Sequence, residues 1–492
     1  MKLLIFFCAF VVATCFGASN KTYKDTGLTI VILGASGDLS RKKTYPSFFQ
    51  AFSEGLLPSK FEIVGVARSS FELGEFHKMI SGHFQKEKRE GEKREFLSHC
   101  TFYSGQLNEA KTFERVVREV EGREGEEGAN RVFILALPPS VFVSTTKALK
   151  ESGFFERKTR GGEWRRVVVE KPIGEDTLSS SLLTQQLLGE VGEEESYRID
   201  HYLGKEVLQN IVPLRFQNSL FEPFFHREKV ERVELCFFES IGIEGRGYFD
   251  SAGIIRDVVQ NHLLQFFALI SMEKPSNLSL PSSITDAKVA ALKSIPPFTE
   301  KQTVVGQYEG YLNEPNVPPS SFTETFVATV VRPNSERWRG VPFILKAGKA
   351  LNQKLVEARI FLKNSDNQLV FRVQPDEAVF FDNVKSKLPG LTGQQLFANV
   401  SLKFEYKQEF KSLLIPDAYA KLYLDVIQGN KNHFVRNDEL LLSWQIVTPL
   451  LQHLKQAQLP PLIYPFGSSG PPLDSLFASL HSPPQKDHTD EL

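Results

Sequence analysis

The segment that most constrains the fold is Leu28–Phe52, which reads LTIVILGASGDLSRKKTYPSFFQAF. Its first six residues form an apolar run rich in β-branched side chains, and this run breaks at Gly34. The residues that follow predict a helix with aromatic side chains along one side, at Tyr45, Phe48, Phe49 and Phe52. A strand, a glycine turn and a helix are the first half of a βαβ unit. The segment therefore predicts an α/β, Rossmann-like domain with a parallel sheet.

Two glycines in the turn after this strand favour phosphate binding. Gly34 and Gly37 allow the backbone to approach a phosphate closely, and the helix N-terminus after them offers unpaired N–H groups and a partial positive charge. Their spacing is Gly-x-x-Gly rather than Gly-x-Gly-x-x-Gly. A plain structural turn is therefore the alternative to a dinucleotide site.

The next strand, FEIVGVARSS, indicates which dinucleotide would bind. It ends at Arg68, where NAD-binding domains usually carry an acidic residue that holds the ribose hydroxyls. A cation at this position suits a 2′-phosphate, so the sequence favours NADP over NAD. The alternative is a solvated surface arginine.

Two later apolar runs extend the predicted parallel sheet. RVFILALPPS is a third buried strand, followed by Pro138, and WRRVVVEKPIGED is a fourth, followed by Lys171. Ligands of a doubly wound parallel sheet bind at the carboxyl ends of its strands, so both turns belong to the predicted site.

Length and charge limit the classes of protein to consider. The composition, with 41% hydrophobic and 24% charged residues, is that of an ordinary globular protein. At 492 residues the chain is too long for one small core, which predicts two domains. The 58 Lys and Arg residues nearly balance the 59 Asp and Glu residues, giving a net charge of −1. This balance argues against nucleic acid or an anionic membrane as the main partner.

Both ends of the chain carry targeting patterns. The N-terminus, MKLLIFFCAFVVATCFGASN, has an early lysine, a short apolar run and small residues, which is the layout of a cleaved secretory signal; a buried first strand is the alternative. The chain ends in Thr-Asp-Glu-Leu, which resembles the retrieval signal read by a receptor of the endoplasmic reticulum (ER). Together they predict a protein of the ER lumen without a membrane span.

A luminal location has two chemical consequences. The Asn-x-Ser/Thr triplets at Asn20, Asn277 and Asn399 would be exposed to glycosylation. After removal of the signal, Cys100 and Cys236 remain, so at most one disulfide can form.

The stretch SYRIDHYLGKE concentrates titratable side chains at a predicted helix entrance. Asp200 can cap the helix, and His201 and Lys205 are four residues apart, which predicts that they share one helix face beside Tyr202. Two cations and a phenol at a helix N-terminus suit a sugar phosphate dianion. The alternative is a capped helix with a solvated face.

A second candidate lies on the predicted helix GIIRDVVQNHLLQFFALI. His262 lies on the same predicted helix face as the apolar residues Ile255, Val258, Val259 and Phe266. By itself this position is typical of a core histidine, and a general base is the other interpretation.

Eight motifs together resemble the glucose-6-phosphate dehydrogenase family: GASGDLSRKKTYPSFF, ALPPSVF, VVVEKPIGED, YRIDHYLGKE, EGRGYFD, GIIRDVVQNHLLQ, GVPFILKAGKALN and RVQPDEAVF. They occur in family order over roughly Leu28 to Pro471. With the targeting patterns, the chain is most similar to the luminal hexose-6-phosphate type. The resemblance implies an NADP-binding Rossmann-like domain at 27–199 and an α+β domain with a large, mostly antiparallel sheet at 200–470. The signal peptide would occupy 1–17 and a flexible tail 471–492.

The resemblance implies oxidation of D-glucose 6-phosphate by NADP to 6-phospho-D-glucono-1,5-lactone and NADPH, the first step of the oxidative pentose phosphate pathway. His262 would be the base, Asp200 would orient it, and Lys171 would contact sugar and cofactor. The implied substrate-binding residues are His201, Tyr202, Lys205, Glu239, Asp257, Lys349, Lys354 and Gln374. The implied cofactor-binding residues are Gly34, Ser36, Gly37, Asp38, Leu39, Lys43, Arg68, Pro138 and Lys171, with no metal.

The resemblance also concerns partners and a second cofactor. It implies a homodimer or homotetramer formed through the sheet of the second domain. Some relatives hold a structural NADP; Arg359 and Arg372 fit parts of that site, but Lys346 and Leu355 replace expected contacts, which argues against it. Two alternatives stay open: another sugar oxidoreductase with a Glu-Lys-Pro motif, or an NADP-binding regulatory protein without turnover.

Overall fold

The computed structural model describes residues 27–84, 90–125, 128–155, 163–389, 396–413 and 415–478. The predicted signal peptide, the Asn20 triplet and the predicted retrieval signal lie outside these residues. The chain forms two compact units. Of the described residues, the first unit comprises those up to Ala136 together with 148–167 and 426–429, and the second comprises those in 137–147, in 168–425 and from 430 onward.

The described strands are β1 Leu28–Leu33, β2 Phe61–Ala67, β3 Cys100–Ser104, β4 Asn130–Leu135, β5 Arg165–Glu170, β6 Ser196–Ile199, β7 Val230–Phe238, β8 Thr303–Tyr308, β9 Phe326–Val331, β10 Phe343–Gly348, β11 Leu355–Leu362, β12 Gln368–Gln374, β13 Ala378–Lys387, β14 Phe397–Glu405 and β15 Leu462–Tyr464.

The described α-helices are Tyr45–Ser53, Leu73–Ser81, Glu90–Ser98, Ala110–Glu124, Phe142–Glu151, Thr177–Glu190, Glu206–Phe216, Phe249–Ile254, Leu264–Ser271, Pro281–Lys293, Tyr406–Glu409, Ala418–Gln428, Asn437–Ala457 and Asp474–Ala478. Ser40–Thr44 and Ile255–Leu263 are π-helical. Short 3₁₀ turns occur at Pro139–Val141, His201–Gly204, Glu222–Phe224, Glu300–Gln302 and Tyr311–Asn313.

The parallel sheet confirms the Rossmann-like prediction. Its strand order is β3-β2-β1-β4-β5-β6, and β1 pairs in parallel with both β2 and β4. Strands β1 to β4 belong to the first unit, and β5 continues from the first unit into the second. All six residues of β1 are buried, as expected for a central parallel strand whose two faces are both covered.

The second sheet confirms the prediction of a large, mostly antiparallel sheet. Its order is β14-β13-β12-β11-β7-β10-β9-β8-β15, with parallel pairs only at β7–β10 and β8–β15 among these strands. The stretches VERVELCFFES, EARIFLK and QLVFRVQP form β7, β11 and β12. Their alternating patterns suit a sheet with one covered face.

A long helical segment of the second unit carries His262. The π-helical residues Ile255–Leu263 continue directly into the α-helix Leu264–Ser271, and the whole segment Ile255–Ser271 is called the base helix below. Nearly all of its side chains are buried, because the apolar residues predicted from the sequence pack into the core.

Three further observations bear on the sequence predictions. Among the residues that the structure describes, no helix is long and apolar enough to cross a membrane. Cys100 and Cys236 are both buried and free. Within the predicted flexible tail, Asp474–Ala478 forms a short helix, and the tail from residue 479 lies outside the described part.

Candidate active site

The turn after β1 has the backbone shape that a phosphate requires. Gly34 has φ +87°, in the region that favours glycine, and its N–H donates to the Val66 carbonyl at 2.8 Å. The Gly37 N–H donates to the Gly34 carbonyl at 2.9 Å, and a Cβ added at Gly37 would lie 3.1 Å from that oxygen. Both predicted glycines therefore belong to one tight turn that is partly exposed.

The other predicted cofactor residues of the first unit surround this turn. The Ser36 hydroxyl donates to Ser69 Oγ at 3.4 Å, so exposed Arg68, at the end of β2, lies beside the glycine turn. Lys43 is exposed, and Leu39 is half-buried. Hydrogen bonds from Lys42 and Arg41 lower the pKa of exposed Asp38. Exposed cations beside a partly exposed glycine turn fit NADP, whose phosphates need both groups.

The SYRIDHYLGKE stretch begins as buried strand β6 and turns at Asp200. Asp200 Oδ1 accepts the Tyr202 N–H at 3.0 Å, which confirms the predicted cap. The predicted helix face shared by His201 and Lys205 is wrong. Residues His201–Gly204 form a 3₁₀ turn, Lys205 is extended at φ −79° and ψ 139°, and the α-helix begins only at Glu206.

Packing explains why this segment does not continue as one α-helix. The Leu203 N–H donates to the Asp200 carbonyl and the Lys205 N–H to the Tyr202 carbonyl, both three residues back. A Cβ added at Gly204 would lie 2.5 Å from the Ala418 carbonyl oxygen. The turn is therefore closely packed on the start of helix Ala418–Gln428, which only a glycine at 204 permits.

His262 and Asp200 form a buried pair. His262 Nδ1 lies 2.6 Å from Asp200 Oδ1, and both side chains are at most 4% exposed. Burial acts to raise the pKa of Asp200, but the His262 charge and hydrogen bond outweigh it and bring the pKa to about 2. Burial lowers the pKa of His262, and Asp200 opposes this shift. The pair therefore favours neutral imidazole beside ionised carboxylate.

Lys171 completes the arrangement around the imidazole. Its Nζ lies 3.0 Å from His262 Nε2 and donates to the Asp257 carbonyl at 2.8 Å. A carboxylate only accepts and an ammonium only donates, so Nδ1 carries the imidazole proton and the unprotonated Nε2 accepts a hydrogen bond from Lys171. The basic atom of His262 consequently faces Lys171. The peptide bond between Lys171 and Pro172 is cis.

Predicted sugar-binding residues lie next to this lysine. Lys349 Nζ contacts Glu239 Oε2 closely and lies 3.5 Å from Asp257 Oδ2, and Lys171 Nζ lies 3.8 Å from Asp257 Oδ1. Burial acts to raise the pKa of Asp257, but Lys171 and Lys349 outweigh it and lower the pKa. Lys171 and Lys349 thus both form ion pairs with Asp257 beside His262, and Lys349 also pairs with Glu239.

An aromatic layer encloses the histidine. The Tyr202 ring centroid lies 4.3 Å from that of His262, the His201 centroid 4.8 Å, and the Phe237 ring stacks at 5.7 Å and 12°. Burial raises the pKa of Tyr202, so its hydroxyl stays protonated. Burial also lowers the pKa of His201 well below the ordinary value. This environment excludes water, which strengthens the electrostatic interactions inside it.

Two predicted substrate residues, Lys354 and Gln374, are not joined to this cluster by the described contacts. Lys205 lies at the end of the 3₁₀ turn, and its charge contributes to the lowered pKa of His201 and acts on Glu377. Lys354 is exposed in the loop before β11. Gln374 is half-buried at the end of β12, and Pro138 of the cofactor set is exposed after β4. Their assignments stay predictions.

Two neighbours of the site were not predicted from the sequence. The Tyr419 ring stacks on His201 at 5.6 Å and 7°, and its hydroxyl bonds to the Glu170 carboxylate. Burial raises the pKa of Glu170 to about 8. Glu170 could have been found because it stands in the quoted VVVEKPIGED motif, whereas Tyr419 comes from a helix more than two hundred residues away with no local signal.

Asp200, His201 and His262 also satisfy the spacing of metal ligands, with donor atoms within 4.8 Å of one another. However, the hydrogen bond between Asp200 Oδ1 and the protonated His262 Nδ1 already occupies one potential ligand atom of each of these two residues. We therefore interpret the group as a base with its orienting carboxylate.

The cations at the positions compared with a structural NADP site are engaged with acidic side chains. Lys346 Nζ lies 2.6 Å from Glu234 Oε2, and Arg359 and Arg372 lie 2.8 Å and 3.0 Å from the two carboxylate oxygens of Glu357. Two buried or half-buried carboxylates among these cations would repel a phosphate.

The first unit offers a dinucleotide turn with an adjacent arginine, and the second offers a buried histidine base among lysines and carboxylates. Together these features define a nicotinamide-dependent oxidoreductase. Two family models match the chain: the glucose-6-phosphate dehydrogenase NAD-binding domain over residues 31–210 and the C-terminal domain over 212–481. The chain belongs to the glucose-6-phosphate dehydrogenase family.

Individual relatives agree with this assignment. Glucose-6-phosphate 1-dehydrogenase 5, cytoplasmic, of Arabidopsis thaliana is 43% identical over 474 residues, covering 92% of this chain and 91% of the relative. The Dictyostelium discoideum glucose-6-phosphate 1-dehydrogenase is 42% identical, with 90% and 92% covered. A solved glucose-6-phosphate dehydrogenase in complex with glucose 6-phosphate superimposes with a TM-score of 0.85 at 36% identity, covering 93% of this chain and 98% of that one.

Proposed function

We propose that this protein oxidises D-glucose 6-phosphate with NADP, giving 6-phospho-D-glucono-1,5-lactone and NADPH. The observation that carries the proposal is the line of contacts from Asp200 through His262 to Lys171, in which the basic nitrogen of a buried imidazole faces a lysine. The family membership and the relative with bound glucose 6-phosphate identify the sugar phosphate.

In the proposed mechanism, His262 removes the proton of the anomeric hydroxyl. Nε2 is unprotonated and accessible to a donor, because Lys171 already donates to it in the free protein. The substrate hydroxyl donates to Nε2, and Asp200 stabilises the imidazolium that forms. The nicotinamide, when bound, accepts the hydride from C1.

The remaining charges bind and orient the sugar. Asp257 and Glu239 can accept hydrogen bonds from sugar hydroxyls, and Lys171 can donate one. His201, Tyr202 and Lys205 supply the donors that a phosphate needs at the turn before helix Glu206–Phe216. Fixing both ends of the sugar would hold C1 at the reacting position.

Nicotinamide reduction tests the activity directly. Purified protein is mixed with glucose 6-phosphate and NADP, then NAD, and the absorbance of the reduced nicotinamide is followed, with His262→Asn beside it. We expect rapid reduction by the wild type and almost none by the variant, while calorimetry shows that the variant still binds sugar phosphate. Binding of both ligands without turnover by the wild type would favour the regulatory alternative. Turnover of unphosphorylated sugars alone would favour the other Glu-Lys-Pro oxidoreductases.

We also propose that each chain binds one NADP. The support is the pairing of Lys346 with Glu234 and of Arg359 and Arg372 with Glu357. Calorimetric titration of NADP should give one site per chain. Retention of tightly bound NADP after extensive dialysis would contradict the proposal.

We propose that the protein works in the ER lumen as a homo-oligomer. The location rests on the N-terminal and C-terminal sequence patterns. The oligomer rests on β14, an edge strand whose side chains Phe397, Leu402 and Phe404 are exposed. Sedimentation velocity should show a dimer or tetramer that weakens in Leu402→Lys.

The triplet at Asn277 provides a test of location. Asn277 is exposed, and its Oδ1 accepts the Ser279 N–H at 2.9 Å in a loop, so a luminal chain should carry a glycan there. Expression in eukaryotic cells should give a glycosidase-sensitive mass that decreases in Asn277→Gln, and a further decrease in Asn399→Gln would show that the exposed triplet on β14 carries a glycan too. Deletion of the last four residues should cause secretion. An unglycosylated protein found in the cytosol would contradict the location.

A further inference from the structure

The base helix begins at a buried glutamate that the mechanism above does not use. Gly253 has φ +71°, which separates the base helix from the short helix before it. Directly after this break, the Ile254 N–H donates to the Glu324 carbonyl at 2.9 Å, and the Ile255 N–H donates to Glu324 Oε1 at 3.2 Å. One residue, distant in sequence, thus accepts two successive backbone donors at a helix start, where such groups lack partners within the helix.

This carboxyl group is held in an unusual environment. Glu324 is only 7% exposed, and burial raises its pKa to about 7. Hydrogen bonds from its own N–H and from the Ile255 N–H, and the charge of Arg256, act in the opposite direction, whereas Asp250 raises the pKa further. The pKa of the neighbouring Tyr311 is raised chiefly by burial and by its hydrogen bond to Asp250. A buried carboxyl is costly unless its hydrogen bonds are made, so the contact with the helix is a strong constraint.

The sequence at Gly253 permits this contact. A Cβ added there would lie 2.2 Å from Glu324 Oε1, closer than any side-chain carbon can approach. Glycine at 253 is therefore required for two reasons, the left-handed backbone and the space that the carboxylate fills.

The next residue links the same loop to a predicted substrate lysine. The Thr325 carbonyl accepts the Lys349 N–H at 2.9 Å. Consecutive residues, Glu324 and Thr325, therefore hold the start of the base helix and the backbone of Lys349. Lys349 Nζ lies 3.5 Å from Asp257 Oδ2, which stands on the base helix two residues after Ile255.

We propose that Glu324 is a positioning residue for the dehydrogenase reaction: as a hydrogen-bond acceptor it fixes the start of the base helix, and thereby the distance of His262 and Asp257 from Lys349. The inference rests on the proposed function. The acceptor oxygen is the essential feature, so an amide in place of the carboxyl should preserve the role.

The first experiment compares Glu324→Gln with Glu324→Met, a side chain of similar length without an acceptor oxygen. We expect kcat to fall by roughly tenfold to a hundredfold in Glu324→Met, because displacement of reacting groups by about 1 Å has effects of this size. Glu324→Gln should retain kcat within about threefold, because its amide oxygen still accepts the Ile255 N–H. The KM for NADP should stay constant in both, since the glycine turn and Arg68 are unchanged.

Glu357→Met is the matched control, because it removes another buried carboxyl from the second unit outside the site. It should lower the unfolding temperature but keep kcat. A second measurement is the coupling between Gly253→Ala and Glu324→Ala. The methyl group of Gly253→Ala should reduce kcat less when Glu324 is already Ala, since the backbone strain at 253 is present in both backgrounds and cancels.

The outcomes separate the two proposals. A wild type without activity would refute the proposed function. An active wild type with kcat unchanged in Glu324→Met, or with Glu324→Gln as impaired as Glu324→Met, would refute the positioning role. Equal loss of kcat in Glu357→Met, or strictly additive effects at 253 and 324, would show a general loss of stability instead and would also refute it.

Discussion

Substitution of Asp200 by Asn tests the pairing on which the mechanism depends. Asn has the shape of Asp, and its Oδ1 can keep the hydrogen bonds from Tyr202 N–H and His262 Nδ1–H. The second carboxylate oxygen, which has no hydrogen-bond partner among the described residues, would be replaced by the amide NH₂. The geometry should survive, so the substitution mainly removes a negative charge.

The expected loss can be worked from the contact distance. With Nδ1 and Oδ1 2.6 Å apart, the centres of the imidazolium and carboxylate charges lie about 4 Å apart, which corresponds to about 4 kcal/mol at an effective dielectric constant of about 20. If half of the positive charge has formed on His262 in the transition state, the loss is about 2 kcal/mol. A loss of between about 2 and about 4 kcal/mol of transition-state stabilisation corresponds to a fall in kcat of roughly thirtyfold to a thousandfold.

Steady-state kinetics over a pH series checks this prediction. His262 must be neutral to act as the base, so kcat/KM decreases as the pH falls through its pKa. Because Asp200 raises that pKa, Asp200→Asn should move this decrease to lower pH while the maximum rate stays low at every pH. The KM for NADP should not change. Retention of more than a third of wild-type kcat, or a shift of the decrease to higher pH, would refute the reasoning.

Three further substitutions test other parts of the site. Gly204→Ala places a Cβ 2.5 Å from the Ala418 oxygen, so the 3₁₀ turn must move, and the KM for glucose 6-phosphate should increase at least about tenfold with a smaller change in kcat. Arg68→Gln should increase the KM for NADP by roughly tenfold to a hundredfold and leave the KM for NAD nearly unchanged. Burial raises the pKa of Glu170 from the ordinary value of 4.5 to about 8. Between these two pH values the folded protein holds a proton on Glu170 that the unfolded chain releases, so the stability of the wild type should fall as the pH rises from 4.5 to about 8. Denaturant unfolding at several pH values should show this decrease in the wild type but not in Glu170→Gln.

Local patterns were sufficient for the parallel sheet. The apolar run Leu28–Leu33 forms β1 at the predicted residues, and the strand ends at Gly34 as predicted. These features depend on neighbouring residues alone. The pairing of Asp200 with His262 joins residues 62 positions apart, so no periodicity could reveal it, and only the resemblance predicted it.

Two kinds of information were missing from the sequence. The spacing of His201 and Lys205 predicted a shared face only under α-helical geometry, and the observed 3₁₀ turn depends on tertiary packing between Gly204 and Ala418. Tyr419 and Glu324 are brought to the site by elements that carry no motif of their own. Their roles follow from contacts that exist only in the folded chain.

The helical geometry of the base helix explains how Asp257 and His262 can serve one lysine. In an α-helix of 3.6 residues per turn, residues five apart point in clearly different directions. The segment Ile255–Leu263 is π-helical, with i→i+5 bonding, so residues five apart lie about one turn above each other. Lys171 Nζ accordingly reaches both His262 Nε2 and the Asp257 backbone oxygen. The apolar pattern predicted a helix here, but the extra residue in the turn, which brings base and carboxylate to one side, leaves no trace in that pattern.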